Sequence, residues 1–104
     1  MKLLNAFSLN MLASFPASVM IKEVSLDEAR EAVAQGFDSA VGHAETAAVL
    51  GEQLGVAVPC QRVTVSLEKG EAVLVGQYRG PRLPEGATHL PEGATIKWYL
   101  VTVS

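Results

Sequence analysis

The order of apolar segments constrains the fold of this chain more than any other feature. Apolar, β-rich segments occur towards both ends, whereas the two segments between them have helical spacing. The predicted strands are Lys2–Phe7, Val19–Val24, Val63–Glu68, Ala72–Tyr78 and Thr95–Val103, with Ser8–Leu12 as a turn or short helix and Lys69-Gly70 as a hairpin turn. The order ββ-α-α-βββ predicts an α/β (α+β) fold, with two helices on one face of a mixed five-stranded sheet.

Both predicted helices have recognisable ends. Ser25 and Glu28 form the S-x-x-E pattern of a capping box at the start of the first helix, and Gly36 stands where a glycine commonly ends one. The second helix is predicted at Ala44–Leu54, with Gly55 after it. Apolar residues recur along one face of each segment, so each helix is expected to pack against the sheet.

The segment at residues 79–94 is rich in proline and glycine and is predicted to be a long loop. It contains most of a duplicated hexapeptide, LPEGAT, at residues 83–88 and 90–95. Loops of this length in small domains are usually functional or disordered. Glu85 in the first copy can orient an arginine, accept from a ribose hydroxyl or accept a proton; Glu92 is its twin in the second copy.

Length and charge limit the possible functions. The chain has 104 residues, so one domain at residues 1–104 is expected. Such a domain buries only ~60–65% of the surface that its unfolded chain exposes, and a dimer interface would add to a thin core. The net charge of −3 argues against binding of duplex DNA, which needs many phosphate-neutralising cations. A small anionic ligand remains compatible with it.

Cys60 is the single cysteine, so no internal disulfide is possible, as is typical of a reducing cytoplasm. Asn5, Ser8 and Asn10 interrupt the apolar start, and no segment approaches the ~20 apolar residues of a membrane helix. A soluble cytoplasmic protein without membrane association is expected. Neither metal-ligand spacing at Cys60 nor a two-metal carboxylate cluster nor a nucleotide-binding motif is present, so no metal and no cofactor are expected.

His43 is the first candidate catalytic residue. It directly precedes the second helix, whose N-terminus would favour a bound phosphate. Histidine titrates near neutral pH and serves as a general acid or base. A surface or capping role is the alternative, and for a lone histidine it is the commoner one. His89 lies in the long loop and is expected to be exposed.

Arg62, Arg79 and Arg82 are candidate phosphate ligands, because a guanidinium presents a planar fork of donors to phosphate oxygens. In the Arg79-Gly80-Pro81-Arg82 unit, proline restricts the backbone and Gly80 permits close approach of a ligand. Solvated loop charge is the alternative for each arginine. Several polar residues can contact bases or phosphates, or equally satisfy turn backbone: Asn5, Ser8, Asn10, Thr46 and Gln77.

Four segments together carry a resemblance to a known family: Asn5–Leu12 (NAFSLNML), Ser39–His43 (SAVGH) with Thr46-Ala47, Gly76–Ala87 (GQYRGPRLPEGA) and Thr95–Val103. In combination they resemble a small-domain family first described as an uncharacterised protein of archaeal viruses. That family is now understood as the viral type III anti-CRISPR ring nuclease, with cellular relatives. The resemblance extends from Leu3 to Val103.

The resemblance implies a homodimer that binds cyclic tetra-adenylate and cuts it, without metal, into linear di-adenylate with a 2′,3′-cyclic phosphate, ending type III CRISPR signalling. It places catalysis on His43, Arg82 and Glu85. The ligand-binding residues are then Asn5, Ser8, Leu9, Thr46, Arg62, Gln77, Arg79 and Gly80. His43 would act as general acid on the leaving 5′-oxygen, Arg82 would stabilise phosphate charge, and Glu85 would hold Arg82 or the ribose.

Two other functions remain open from sequence. A non-catalytic sponge would bind the cyclic nucleotide through Arg62, Arg82 and the Asn5–Asn10 segment without needing His43. A structural or transcription-linked viral protein is the other alternative, but the acidic balance and the absence of a basic helix argue against DNA binding.

Overall fold

A five-stranded mixed sheet with two α-helices makes up the computed structural model, which describes residues 1–104. The strands are β1 (Lys2–Leu4), β2 (Val19–Val24), β3 (Asp38–Ser39), β4 (Ala72–Arg79) and β5 (Thr95–Val103), and the helices are α1 (Leu26–Ala34) and α2 (Ala44–Leu54). The order across the sheet is β2-β5-β4-β1-β3, in which β1, β3 and β4 are parallel. The predicted fold class is confirmed. Neither helix is long and apolar enough to cross a membrane.

The two faces of the sheet bury different sets of side chains, because successive residues of a strand point to opposite faces. On one face, Leu3, Leu74 and Trp98 pack against both helices in a single core cluster. On the opposite face, which we call the open face, β-strand residues pack against loop residues such as Val65 and Leu67. Both helices therefore cover the same face, as predicted.

Gly76 of β4 leaves room for the Leu50 side chain of α2 and the Trp98 ring of β5. A Cβ atom at this position would lie 2.5 Å from Cζ3 of Trp98 and 2.9 Å from Cδ2 of Leu50. The missing side chain is thus replaced by the Trp98 ring and by Leu50, both of which are buried. This contact sets the distance between α2, which carries His43 at its start, and the strand that leads to Arg82.

The capping box predicted at the start of α1 is present. Ser25 Oγ accepts a hydrogen bond from the Glu28 N–H (3.1 Å), and Glu28 Oε1 accepts one from the Ser25 N–H (3.0 Å). Hydrogen bonding of the Glu28 carboxylate to the Ser25 backbone N–H, and secondly to the Ser25 side chain, holds the pKa of the Glu28 carboxyl below its ordinary value. After the helix, Gly36 has φ +103°, and Gly55 ends α2 with φ +75°; both helix ends are confirmed.

We expect the contribution of Glu28 to stability to disappear on acidification. Its pKa is lowered in the folded chain, so the stabilisation is present above the unfolded-state pKa and is lost as pH falls through the folded one. The difference in free energy of unfolding between wild type and Glu28→Gln should therefore shrink from about pH 6 to about pH 3. Glu31→Gln, on the same helix outside the capping box, is the control. A difference that stays constant over this range would contradict the expectation.

The strand predicted at Val63–Glu68 is wrong, as is its hairpin with β4. The alternation placed Val63, Val65 and Leu67 on one buried face, and it was correct for Val65 and Leu67, whereas Val63 is exposed. However, both edges of β4 are already paired, one with β1 and the other with β5. The segment instead crosses the open face, where Leu67 forms an isolated bridge to Leu12.

Two further differences concern the start of the sheet. The strand predicted at Lys2–Phe7 ends at Leu4, and a short 3-10 turn, Leu9–Met11, follows. The fifth strand is the two-residue β3, which the sequence did not indicate. It exists because the chain between the helices passes the free edge of β1, where the Asp38 N–H donates to the Met1 carbonyl (3.0 Å) and the Ala40 N–H to the Leu3 carbonyl (2.9 Å).

Candidate functional site

Three chain segments meet at one edge of the sheet. Because β1, β3 and β4 are parallel, their carboxyl ends lie at the same edge. β1 is followed there by Asn5–Leu9, β3 by Ala40–His43 and the start of α2, and β4 by Gly80–Arg82. In open α/β sheets, ligands commonly bind outside the carboxyl ends of the strands. The segments that carry the candidate site residues thus begin at this edge or run towards it. Arg62 is the exception, because it lies in the segment between α2 and β4.

A cleft of about 390 Å³ lies between the start of α2 and the loop after β4. Its lining residues are His43, Glu45, Thr46, Tyr78, Gly80, Arg82 and Leu83. Four of these were predicted from sequence as site residues: His43, Thr46, Gly80 and Arg82. The fold therefore brings a histidine and an arginine that are distant in sequence to one concave surface.

His43 is the N-cap residue of α2, with extended backbone angles (φ −123°, ψ 126°). Its side chain makes no capping hydrogen bond, so the exposed imidazole stays free to face the cleft. Its carbonyl accepts the first helical bond, from the Ala47 N–H (2.9 Å). The N–H groups of the first turn precede that bond and have no helical acceptor. Together with the helix dipole they favour an anion beside His43.

Arg62 contacts the backbone of the residue that precedes His43, although it does not line the cleft. Its Nε and Nη2 donate to the Gly42 carbonyl, each at 3.4 Å, so the guanidinium lies beside the residue that precedes His43. A Cβ at Gly42 would lie 3.5 Å from Cγ of Arg62, so the arginine stem packs along this glycine. Both bonds are long, and the exposed guanidinium keeps donors available for a ligand.

Arg82 reaches the cleft through a short loop after β4. β4 remains paired with β5 up to Arg79 opposite Thr95, and the chain then turns at Gly80. Arg82 and Leu83 line the cleft on the far side of this turn. Arg79 is exposed at the end of the strand and does not line the cleft, so the structure separates the two arginines of the Arg-Gly-Pro-Arg unit.

Glu85 lies in a turn in which the Ala87 N–H donates to the Pro84 carbonyl (3.1 Å). The second LPEGAT copy makes the same turn, with a 3.0 Å bond from Ala94 to Pro91. In each, a glycine with positive φ stands third, as a type II turn requires. The salt bridges of the chain do not include one between Arg82 and Glu85. Glu85 is exposed and does not line the cleft.

His89 lies between the two turns, and its side chain is 80% exposed, as predicted. Its Nδ1 is 3.5 Å from Oε1 of Glu52 on α2, an ion pair when the imidazole is protonated. This contact holds the loop against the flank of α2, away from the His43 cleft. It identifies His89 as a loop contact and leaves His43 as the histidine at the carboxyl edge.

The remaining predicted ligand residues do not line the cleft. Gln77 contributes to a groove of about 290 Å³ on the open face, beside Phe7 and Tyr99. Ser8 Oγ accepts from the Asn10 N–H (3.3 Å) and caps the 3-10 turn, which is the turn role considered from sequence. Asn5 and Leu9 belong to the same segment, and Leu9 is 68% exposed. These residues form a second group, at the same sheet edge but towards the open face.

Three residues of the cleft were missed by sequence reasoning: Glu45, Tyr78 and Leu83. For Tyr78 the signal was available, because adjacent strand residues point to opposite faces. Gln77 and Tyr78 cannot both face the same site, so a choice was needed between them. Glu45 lies in the first turn of α2, so its place near His43 could have been inferred from the predicted start of that helix.

Fold and cleft together define an α+β domain whose polar site lies at the carboxyl edge of parallel strands. Residues 1–99 match the model of the STIV B116-like family, and the chain belongs to that family. Its structure is similar to that of B116 of Sulfolobus turreted icosahedral virus (STIV), with a TM-score of 0.81 and 27% sequence identity, covering 97% of each chain. The resemblance to a small archaeal-virus family is confirmed. No match was found among curated protein sequences.

Proposed function

We propose that the chain is a metal-independent ring nuclease. It binds cyclic tetra-adenylate across a homodimer, cuts it to linear di-adenylate with a 2′,3′-cyclic phosphate, and so switches off type III CRISPR signalling in the cytoplasm. The observation that carries the proposal is that His43 and Arg82 line one cleft. A proton donor and a cation aimed at phosphate are the two groups that this cleavage needs.

The reaction follows from these groups. The ribose 2′-oxygen attacks the adjacent phosphorus, forms the P–O2′ bond and loses its proton to solvent. The P–O5′ bond breaks, and the His43 imidazolium gives its proton to the departing 5′-oxygen. Arg82 compensates the charge that builds on the non-bridging oxygens. Because these two side chains supply both the proton and the positive charge, the proposal requires no metal ion.

Binding of the phosphate is supported by the backbone around His43. The free N–H groups at the start of α2 and the Thr46 side chain face the cleft from one side. Arg62 adds a guanidinium beyond Gly42. A few aimed donors of this kind suit a compact anion, and they do so despite the net charge of −3. Glu85 lies in the turn that directly follows the cleft residues Arg82 and Leu83, and it is proposed to hold the ribose.

A homodimer is supported by the symmetry of the proposed ligand and by exposed apolar side chains on the surface of the chain. One chain has one His43, whereas halving a ring of four adenylates requires two cuts at opposite phosphates, which a two-fold dimer can present. Large apolar side chains are exposed for so small a domain: Leu9, Phe15, Met20, Ile21 and Val63. Ile21 lies on the open face, in the same groove as Gln77. Pairing of two chains would cover such residues and bring their sites together.

The proposal is tested by incubating the purified protein with radiolabelled cyclic tetra-adenylate in EDTA. We expect linear di-adenylate carrying a 2′,3′-cyclic phosphate, and a sedimenting species of twice the chain mass. Cyclic hexa-adenylate is run in parallel to measure ring-size preference. A ring that stays intact but bound would show that the protein is a sponge. A ring that is neither bound nor cut would overturn the proposal.

A further inference from the structure

Tyr78 connects the sheet to the loop that carries Arg82. Its hydroxyl donates a hydrogen bond to the Pro81 carbonyl oxygen at 2.6 Å. Tyr78 itself is paired with Ile96 in the β4–β5 ladder, so its backbone is held by the sheet. The bond therefore ties a loop segment without regular structure to the most extensively paired part of the fold.

The hydrogen bond is made by the peptide group that joins Pro81 to Arg82, so it acts directly on the backbone of Arg82. A peptide unit is planar, and the plane that contains the Pro81 carbonyl also contains the Arg82 nitrogen and Cα. A hydrogen bond to the carbonyl oxygen restricts rotation of that plane. It thereby limits the directions in which the Arg82 side chain leaves the backbone, opposite His43 across the cleft.

Packing at Gly80 holds the same turn from its other side. A Cβ at Gly80 would lie 2.6 Å from Cβ of Ala94 and 2.9 Å from Oη of Tyr78. The turn thus lies directly against buried Ala94, which ends the second turn of the repeat, and against the tyrosine hydroxyl. With the hydroxyl in place, the segment from Gly80 to Arg82 has little freedom to shift.

The hydroxyl of Tyr78 has no second proton to offer. A phenol has one O–H donor, and Pro81 receives it. Although Tyr78 lines the cleft, it is not positioned to donate to a phosphate oxygen. Its oxygen can still accept a hydrogen bond, so the Arg82→Ala background is needed to separate an effect through Arg82 from a direct contact with the ligand.

We infer that Tyr78 is a positioning residue, whose hydroxyl sets Arg82 against the scissile phosphate. The inference rests on the proposed function. A displacement of about 1 Å in a reacting group can cost ~10²-fold in rate. Removing the hydroxyl in Tyr78→Phe should therefore lower the single-turnover rate constant of cleavage by about 10- to 100-fold, with the dissociation constant of the ring and the midpoint of thermal unfolding close to wild type.

Two measurements test the inference. The first is single-turnover cleavage of cyclic tetra-adenylate by wild type, Tyr78→Phe, Arg82→Ala and the double variant. If Tyr78 acts through Arg82, the double variant cuts at the rate of Arg82→Ala. The second is amide hydrogen exchange at Arg82 and Leu83 without ligand, which should accelerate in Tyr78→Phe. Tyr99→Phe, the same change on the other face of the sheet, is the control for exchange.

The outcomes separate this inference from the proposed function. Equal single-turnover rate constants in wild type and Tyr78→Phe overturn the inference alone, and so does a Tyr78→Phe effect of undiminished size in the Arg82→Ala background. If wild type does not cut the ring, the proposed function fails. In that case hydrogen exchange alone tests the positioning role. Unchanged exchange at Arg82 and Leu83 in Tyr78→Phe overturns that role, and faster exchange supports it.

Discussion

Replacing His43 with alanine is expected to lower the rate of ring cleavage by about 10²- to 10⁴-fold, the range associated with loss of a general acid. The 5′-oxygen is a poor leaving group without a proton, and no other histidine reaches the cleft. Binding of the ring should persist, because Arg62, Arg82 and the start of α2 remain. The measurement is single-turnover cleavage in EDTA, with ring binding measured separately.

His89→Ala is the matched control for His43→Ala. It removes the other histidine, which is exposed and contacts Glu52 outside the cleft. We expect His89→Ala to cut the ring at the wild-type rate. Full activity in His43→Ala would remove the imidazole from the mechanism. Loss of ring binding in a folded His43→Ala variant would instead make the histidine a ligand contact and leave the proton donor unassigned.

Leu50→Ala is expected to give the largest loss of stability among single side-chain truncations in α2. Leu50 is completely buried and lies directly above Gly76, beside Trp98. Truncation of a buried leucine costs about 2–5 kcal/mol. Only 21 of the 104 residues are buried, so this is a large share of the core. At ~4–8 °C per kcal/mol for a domain of this size, Tm should fall by roughly 10 °C or more.

Val56→Ala, truncation of an exposed aliphatic side chain just after α2, is the control for Leu50→Ala at equal protein concentration. Its expected change lies within about 0.5 kcal/mol. Thermal unfolding followed by circular dichroism measures both. A drop in Tm of only a degree or two for Leu50→Ala would show that α2 can settle onto the sheet and fill the space. The core around Gly76 would then be less tightly packed than the structure indicates.

Helices were predicted almost to the residue because their ends are local. The Ser25–Glu28 capping box and the glycines at positions 36 and 55 act within a few residues of each terminus. β2 and β5 also occur at their predicted bounds, since β-branched and aromatic runs bounded by turn residues leave few alternatives. Buried positions at Val65 and Leu67 followed from alternation alone, although the segment is not a strand.

The candidate site was predicted in part. His43 and Arg82 were identified by residue type and by their place beside a helix start and in a special loop, and the fold brings them together. Gln77 was identified in the same way, but its strand directs it to the open face, and Tyr78 lines the cleft in its place. Sequence reasoning named the correct strand end and missed the face, since a one-residue step reverses the face.

The sequence by itself determined the helices, their caps, the long loop with its paired turns and the residue types available for phosphate chemistry, because each depends on interactions between near neighbours. Only the tertiary structure decided which strands pair. β4 has two edges, and β1 and β5 occupy them in competition with the neighbouring segment at Val63–Glu68. The pairing of these distant segments makes β1, β3 and β4 parallel. Their carboxyl ends therefore lie at one edge of the sheet, and His43 and Arg82 line the same cleft there.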